Sequence, residues 1–97
     1  MKQATFYIVL NLRTCNGYES FGKFSIGNNK RIATDIFSRL KGSQVVNEKS
    51  NIQLDLTEMV NGLPVNIQMI SCSLNELAEN CKFITIETFR LLNLKAI

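Results

Sequence analysis

The sequence predicts an α+β domain of order ββαββα, a four-stranded antiparallel sheet with two helices packed on one face. Three observations carry this. Asn-Gly pairs occur at Asn16-Gly17 and Asn61-Gly62, 45 residues apart, and each lies between runs of alternating apolar residues. Each hairpin marked in this way is followed by apolar residues at helical spacing. Asn-Gly between alternating hydrophobics signals a hairpin because a type I′ turn needs positive φ at both central residues, and these two reach it at least steric cost. The 97 residues therefore read as a single domain, 1–97, built from two hairpin-helix units at about 4–42 and 51–94. The pattern leaves the strand order open.

In the first strand Phe6, Ile8, Leu10 and Leu12 share the face that should meet the core, while Tyr7, Val9, Asn11 and Arg13 share the other. The second strand runs to about Ser25, with Phe24 and Ile26 inward and Glu19, Phe21 and Lys23 outward. Gly22 in its middle points to a bulge or a close neighbour. Gly27-Asn28-Asn29 then breaks the strand. Asn28 is the expected N-cap of a three-turn helix whose apolar stripe is Ile32, Ala33, Ile36, Phe37 and Leu40, ended by Gly42. The polar stretch from Ser43 to Asn51 connects the halves.

In the third strand Ile52, Leu54 and Leu56 alternate with Gln53, Asp55 and Thr57, which places the latter on a wet or partner-facing side. Past Asn61-Gly62, Val65, Ile67 and Met69 are expected inward, with Pro64 at a strand start or sheet edge. Ser73-Leu74-Asn75-Glu76 is a capping box, and Cys72 and Leu77 are spaced for the accompanying hydrophobic staple. The helix it opens carries Leu74, Leu77, Ala78, Cys81, Ile84, Leu91 and Leu92 on one face, to about Asn93. A competing reading makes Phe83 to Phe89 a strand, since that stretch has strand propensity. The continuing helical stripe outweighs it.

A chain of this size buries roughly 60 to 68% of its unfolded surface, enough for one core without metal or disulfide staples. Cys15, Cys72 and Cys81 form an odd set without Cys-x-x-Cys spacing. With no histidine to complete a ligand set, neither a disulfide framework nor a zinc site is expected, and no cofactor is implied. Phe6 to Leu10 is too short for a secretory h-region, and no run reaches bilayer length, so a cytoplasmic location without membrane contact is expected.

The missing imidazole also removes the usual base at physiological pH. The Asp55/Glu58 and Glu76/Glu79 pairs have the spacing of solvated or helix-start carboxylates rather than of a catalytic pair. No phosphate-binding glycine loop or calcium loop is present. Phe21-Gly22-Lys23-Phe24 shares residue types with the RNA-binding strand of RNA recognition motifs, but its two rings fall on opposite faces and the element order differs. A catalytic role is therefore not expected.

Charge divides unevenly along the chain. Residues 1–45 carry seven basic and two acidic side chains, and residues 46–97 carry four basic and six acidic. Lys30, Arg31, Arg39 and Lys41 form a candidate basic patch on and beside the first helix, fit for phosphates or an acidic partner. A second feature is apolar surplus. Tyr7, Val9, Phe21 and Ile70 are expected to project from the open sheet face, rimmed by Arg13, Lys23, Asp55 and Gln68. Phe83, Ile86 and Leu94 fall outside the stripe of the second helix. Contiguous apolar surface marks association, so either surface, the sheet face of Tyr7, Val9, Phe21 and Ile70 or the helix surface of Phe83, Ile86 and Leu94, is a candidate homodimer interface.

Gly17-Tyr18-Glu19-Ser20-Phe21-Gly22, Asn61-Gly62-Leu63-Pro64-Val65-Asn66 and Glu76-Leu77-Ala78-Glu79-Asn80-Cys81 resemble stretches of a family of small uncharacterised bacterial proteins of about this length. The resemblance spans nearly the whole chain and implies no activity, cofactor or site. The expected role is thus a non-enzymatic protein-association domain acting as a homodimer. Nucleic-acid binding through the basic first helix is the alternative.

Overall fold

Two strands from different halves of the chain meet at the centre of the sheet. A computed structural model describes residues 4–45 and 50–91. It contains, in chain order, β1 (Ala4–Thr14), β2 (Gly17–Ser25), α1 (Lys30–Ser38), β3 (Ile52–Val60), β4 (Leu63–Ser71) and α2 (Leu74–Leu91). The strands form one antiparallel sheet in the order β2-β1-β3-β4, so each hairpin contributes its first strand to the central pair. Phe6 and Ile8 of β1 and Leu54 and Leu56 of β3 are fully buried on one face. Ala33, Ile36 and Phe37 of α1 and Ile84 of α2 close over them in the same core. Removing a side chain of this size from water contributes about 1.5–3 kcal/mol, so these few residues dominate the stability of the fold.

Only one of the two Asn-Gly pairs forms the expected turn. Asn61 and Gly62 both have positive φ, 53° and 79°, as a type I′ turn between Val60 and Leu63 requires. In the first hairpin Thr14 pairs with Gly17, so the turn residues are Cys15-Asn16, and Gly17 alone takes positive φ. The Thr14 hydroxyl explains the difference. It accepts from the Asn16 amide and donates to the Gly17 carbonyl, both at 3.1 Å, which holds the turn one residue earlier.

Both edge strands contain a bulge, and the two bulges correct several predicted orientations. In β2, Leu10 pairs with Gly22 but Asn11 pairs with Ser20, leaving Phe21 as the extra residue. Gly22 thus adjoins the bulge that its presence suggested. The shift returns Glu19 to the helix-side face opposite Leu12 and puts Ser20 and Tyr18 on the open face. In β4, Leu56 pairs with Gln68 and Thr57 with Asn66, so Ile67 is the extra residue. Ile67 still packs on the core, but Met69 lies opposite Asp55 on the open face, and Val65 is exposed. Ile70, expected outward, lies opposite Leu54 and is buried. Gln68 likewise moves to the helix side.

Both helices begin with side-chain caps. Asn29, one residue later than expected, accepts from the Ile32 amide through its side chain and starts α1. At α2 the Ser73 amide donates to Glu76 Oε1 at 2.8 Å and the Glu76 amide donates to Ser73 Oγ at 3.2 Å, the reciprocal box the sequence encodes. Residues 83–89 are helical. Along α2, Ile84 is buried, Leu77, Cys81 and Leu91 are half-buried, and Leu74 and Ala78 face solvent. Leu92 and the expected end at Asn93 lie outside the described residues.

Asn80, absent from the apolar stripe, is buried and fastens α2 to the chain leaving α1. Its Nδ2 donates to the Lys41 carbonyl and its Oδ1 accepts from the Lys41 amide, both at 2.8 Å. Next to this clamp, Gly42 has φ of 157°, and a Cβ there would stand 2.6 Å from the Ser71 carbonyl oxygen. That closeness lets Ser43 and Ser71 exchange two backbone hydrogen bonds at 2.8 Å. Asn80→Ala orphans two backbone groups, and we expect it to lower stability by about 2–4 kcal/mol. Gly42→Ala forces the backbones apart at a cost of about 1–3 kcal/mol. Urea unfolding midpoints measure both, and midpoints equal to wild type contradict the clamp.

Candidate functional site

The helices leave one sheet face open, and its composition follows from the registers. Odd-numbered residues of β1 and β3 point there. Cross-strand partners share a face, so Lys23, Val9, Asp55 and Met69 form one row, and Ser25, Tyr7, Thr57 and Asn66 the next. The face is mixed rather than apolar. Asp55 and Thr57 are 6% and 5% exposed although no helix covers them, because neighbouring side chains fold over the central strand.

A polar network organises the middle of this face. Asn11 Nδ2 donates to Asp55 Oδ2 at 2.7 Å, and Gln53 Nε2 donates to Asp55 Oδ1 at 2.8 Å. Ser20 Oγ donates to Asn11 Oδ1, which turns the amide toward Asp55. Thr57 Oγ1 donates to Asn66 Oδ1 at 3.0 Å. Among the described residues no cation pairs with Asp55. Two neutral amides hold its oxygens, one donor on each, and among the described residues no cation offsets its charge. Lys23 lies over the Tyr7 ring, 4.1 Å from the centroid, in a cation–π contact that fixes the ammonium above the same face. Tyr7, Asn11, Ser20, Lys23, Asp55, Thr57 and Asn66 border a shallow depression of about 230 Å³.

The predicted interface residues are dispersed by this arrangement. Tyr7 and Val9 are half-buried neighbours on the open face, as expected. Ile70 is core, and Phe21 stands at the sheet edge, 58% exposed and outside the cross-strand rows. Asp55, expected on the rim, occupies the centre. On α2, Phe83 packs against the core instead of projecting from it, while Ile86 and Phe89 remain exposed. Leu94 lies outside the described residues. The network of Asn11, Gln53 and Asn66 around Asp55 and Thr57 escaped the sequence reading, although polar residues alternating along β1 and β3 are its trace.

The basic patch is interleaved with acid. Lys30 pairs with Glu58 at 3.9 Å, Arg39 with Asp35 at 3.3 Å across one helical turn, and Lys41 with Glu79 at 2.5 Å. The hydrogen bond that the Lys41 ammonium donates to Glu79, together with the charge of that carboxylate, raises the Lys41 pKa above its ordinary value. Such exposed pairs contribute little to stability, but they reduce the field the patch presents. Among the described residues no three Cys, Asp or Glu side chains converge in a way that could hold a metal ion. No helix of the described residues is long and apolar enough to cross a membrane.

The cysteines occupy different settings. Cys15 is exposed in the first turn, whereas Cys72 and Cys81 are half-buried. Burial, with Glu76 and Cys81 adding, pushes the Cys72 thiol up to about 11, and burial raises Cys81 as well. No family model matches the chain, and no curated protein or solved structure is significantly similar to it. At pH 8 only about one Cys72 in a thousand is thiolate, and that fraction rises about tenfold per pH unit toward pH 11. Iodoacetamide at pH 8 should therefore label Cys15 well before Cys72. Peptide mass mapping over time tests the order, and equal labelling rates contradict it.

Proposed function

We propose that this chain is a non-enzymatic protein-association domain that works as a homodimer through its open sheet face. One observation carries the reading: a carboxylate, Asp55, is buried at the centre of an uncovered face with both oxygens held by amides and no cationic partner among the described residues. Ordering a charge in this way costs free energy in an isolated subunit, and a docking partner that brings a cation recovers it.

Size supports the same reading. Four strands at about 4.8 Å spacing, over nine residues at about 3.3 Å each, span roughly 19 by 30 Å. That footprint, roughly 570 Å², is below the about 800 Å² per partner of a standard interface and suits a small, reversible one. Half-buried Tyr7 and Val9, with exposed Met69, give it an apolar share. The sheet edges suit association less well. Bulges at Phe21 and Ile67 interrupt the edge strands, Pro64 has no amide to donate, and Ser43 occupies the end of β4.

The basic first helix offers less for nucleic acid, with Lys30, Arg39 and Lys41 each facing a carboxylate. Sedimentation equilibrium from about 1 to 100 µM should give a mass near twice the 11.0 kDa of the chain. A monomer throughout that range overturns the proposal. Salt-dependent retention of random oligonucleotides, lost in Lys30→Ala/Arg31→Ala, would favour the alternative.

A further inference from the structure

Resting on the homodimer reading, we infer that the two copies meet about a two-fold axis running along β1 over Val9, so that Lys23 of each copy meets Asp55 of the other. The row Lys23, Val9, Asp55 crosses β2, β1 and β3 on the open face. Neighbouring strands are about 4.8 Å apart, so the cation and the anion flank Val9 at equal distances on opposite sides.

Two sheets facing each other through a two-fold axis in the plane between them have two aligned arrangements. With the axis along the strands, rotation exchanges left and right, and β2 of one copy lies over β3 of the other. Lys23 then faces Asp55 twice, one contact generating the other by symmetry. With the axis across the strands, each strand lies over its own copy, Lys23 faces Lys23, and Asp55 faces Asp55. Like charges brought together out of water oppose association, so charge selects the first arrangement.

Each group is already positioned for that contact. The Tyr7 ring holds Lys23 above the face, which reduces the rotamer freedom lost on docking. Asn11 and Gln53 fix the Asp55 carboxylate in the lining of the depression with one amide donor on each oxygen, so a partner ammonium seated in that depression meets an oriented carboxylate. On the axis, Val9 meets Val9 and Tyr7 meets Tyr7. Arg13 also lies near the axis, but at the exposed end of β1, where the roughly 30° crossing of packed sheets carries the strand ends apart.

The test compares dimerisation of wild type, Val9→Glu, Lys23→Glu and Asp55→Asn by sedimentation equilibrium, with circular dichroism and thermal unfolding confirming that each is folded. Lys23→Glu sets a carboxylate against Asp55 at both contacts, and we expect it to raise the dimer Kd by about 10-fold or more. Val9→Glu places two carboxylates on the axis and should do the same. Asp55→Asn mixed with Lys23→Glu should restore association: the mixed dimer keeps one Lys23–Asp55 contact, and its other contact sets a glutamate against a neutral amide. A folded wild-type monomer overturns both the homodimer reading and this axis. A wild-type dimer unaffected by Val9→Glu and Lys23→Glu overturns the axis alone.

Discussion

The antiparallel pairing of β1 with β3 is the contact on which everything else in this chain depends. It joins the two hairpin-helix units through their first strands and sets Phe6 and Ile8 beside Leu54 and Leu56, the floor on which both helices rest. The same pairing, read on the reverse face, lines Asn11 up with Gln53 and Val9 with Asp55. Core and open face are therefore two sides of one register. A slip of a single residue would exchange them, carrying Asp55 toward the helices and Leu54 into water.

Much of this was legible in the residues, and the reasons are local. The capping box at Ser73 and Glu76 is a four-residue device that closes on itself, so it needs no tertiary information. The helical character of residues 83–89 follows from a stripe continuing through Ile84, although Phe-Ile-Thr-Ile-Glu-Thr-Phe favours a strand by propensity alone. Burial of one helix face prevailed over intrinsic preference. Asn61-Gly62 took its turn type from its own backbone freedom.

What escaped the sequence depends on events across strands. A bulge inverts the alternation beyond it, so a period of two counted along one strand misassigns half of that strand's side chains. This is why Ile70 is core and Met69 is not, and why Glu19 and Ser20 exchange faces. Gly22 gave a visible hint in β2, but Ile67 in β4 gave none, being an ordinary strand residue. Asn80 failed to register as core for a different reason: its burial is made tolerable only by Lys41, 39 residues away, whose backbone supplies both hydrogen-bond partners. The candidate site has the same character. Asn11 and Asp55 are 44 residues apart, and neither alone suggests a buried network.

The strand order carries a consequence for the engineering of the molecule. Each half contributes a hairpin and a helix, and the seam between halves is made by β1 and β3 rather than by the stretch of chain that links them. Covalent continuity between the halves therefore raises their local concentration without supplying the seam itself. Severed within that link, the two pieces retain every backbone hydrogen bond of the central ladder and the Asn80 clamp. They have the makings of a split reporter whose reassembly signals that whatever is fused to them has come together.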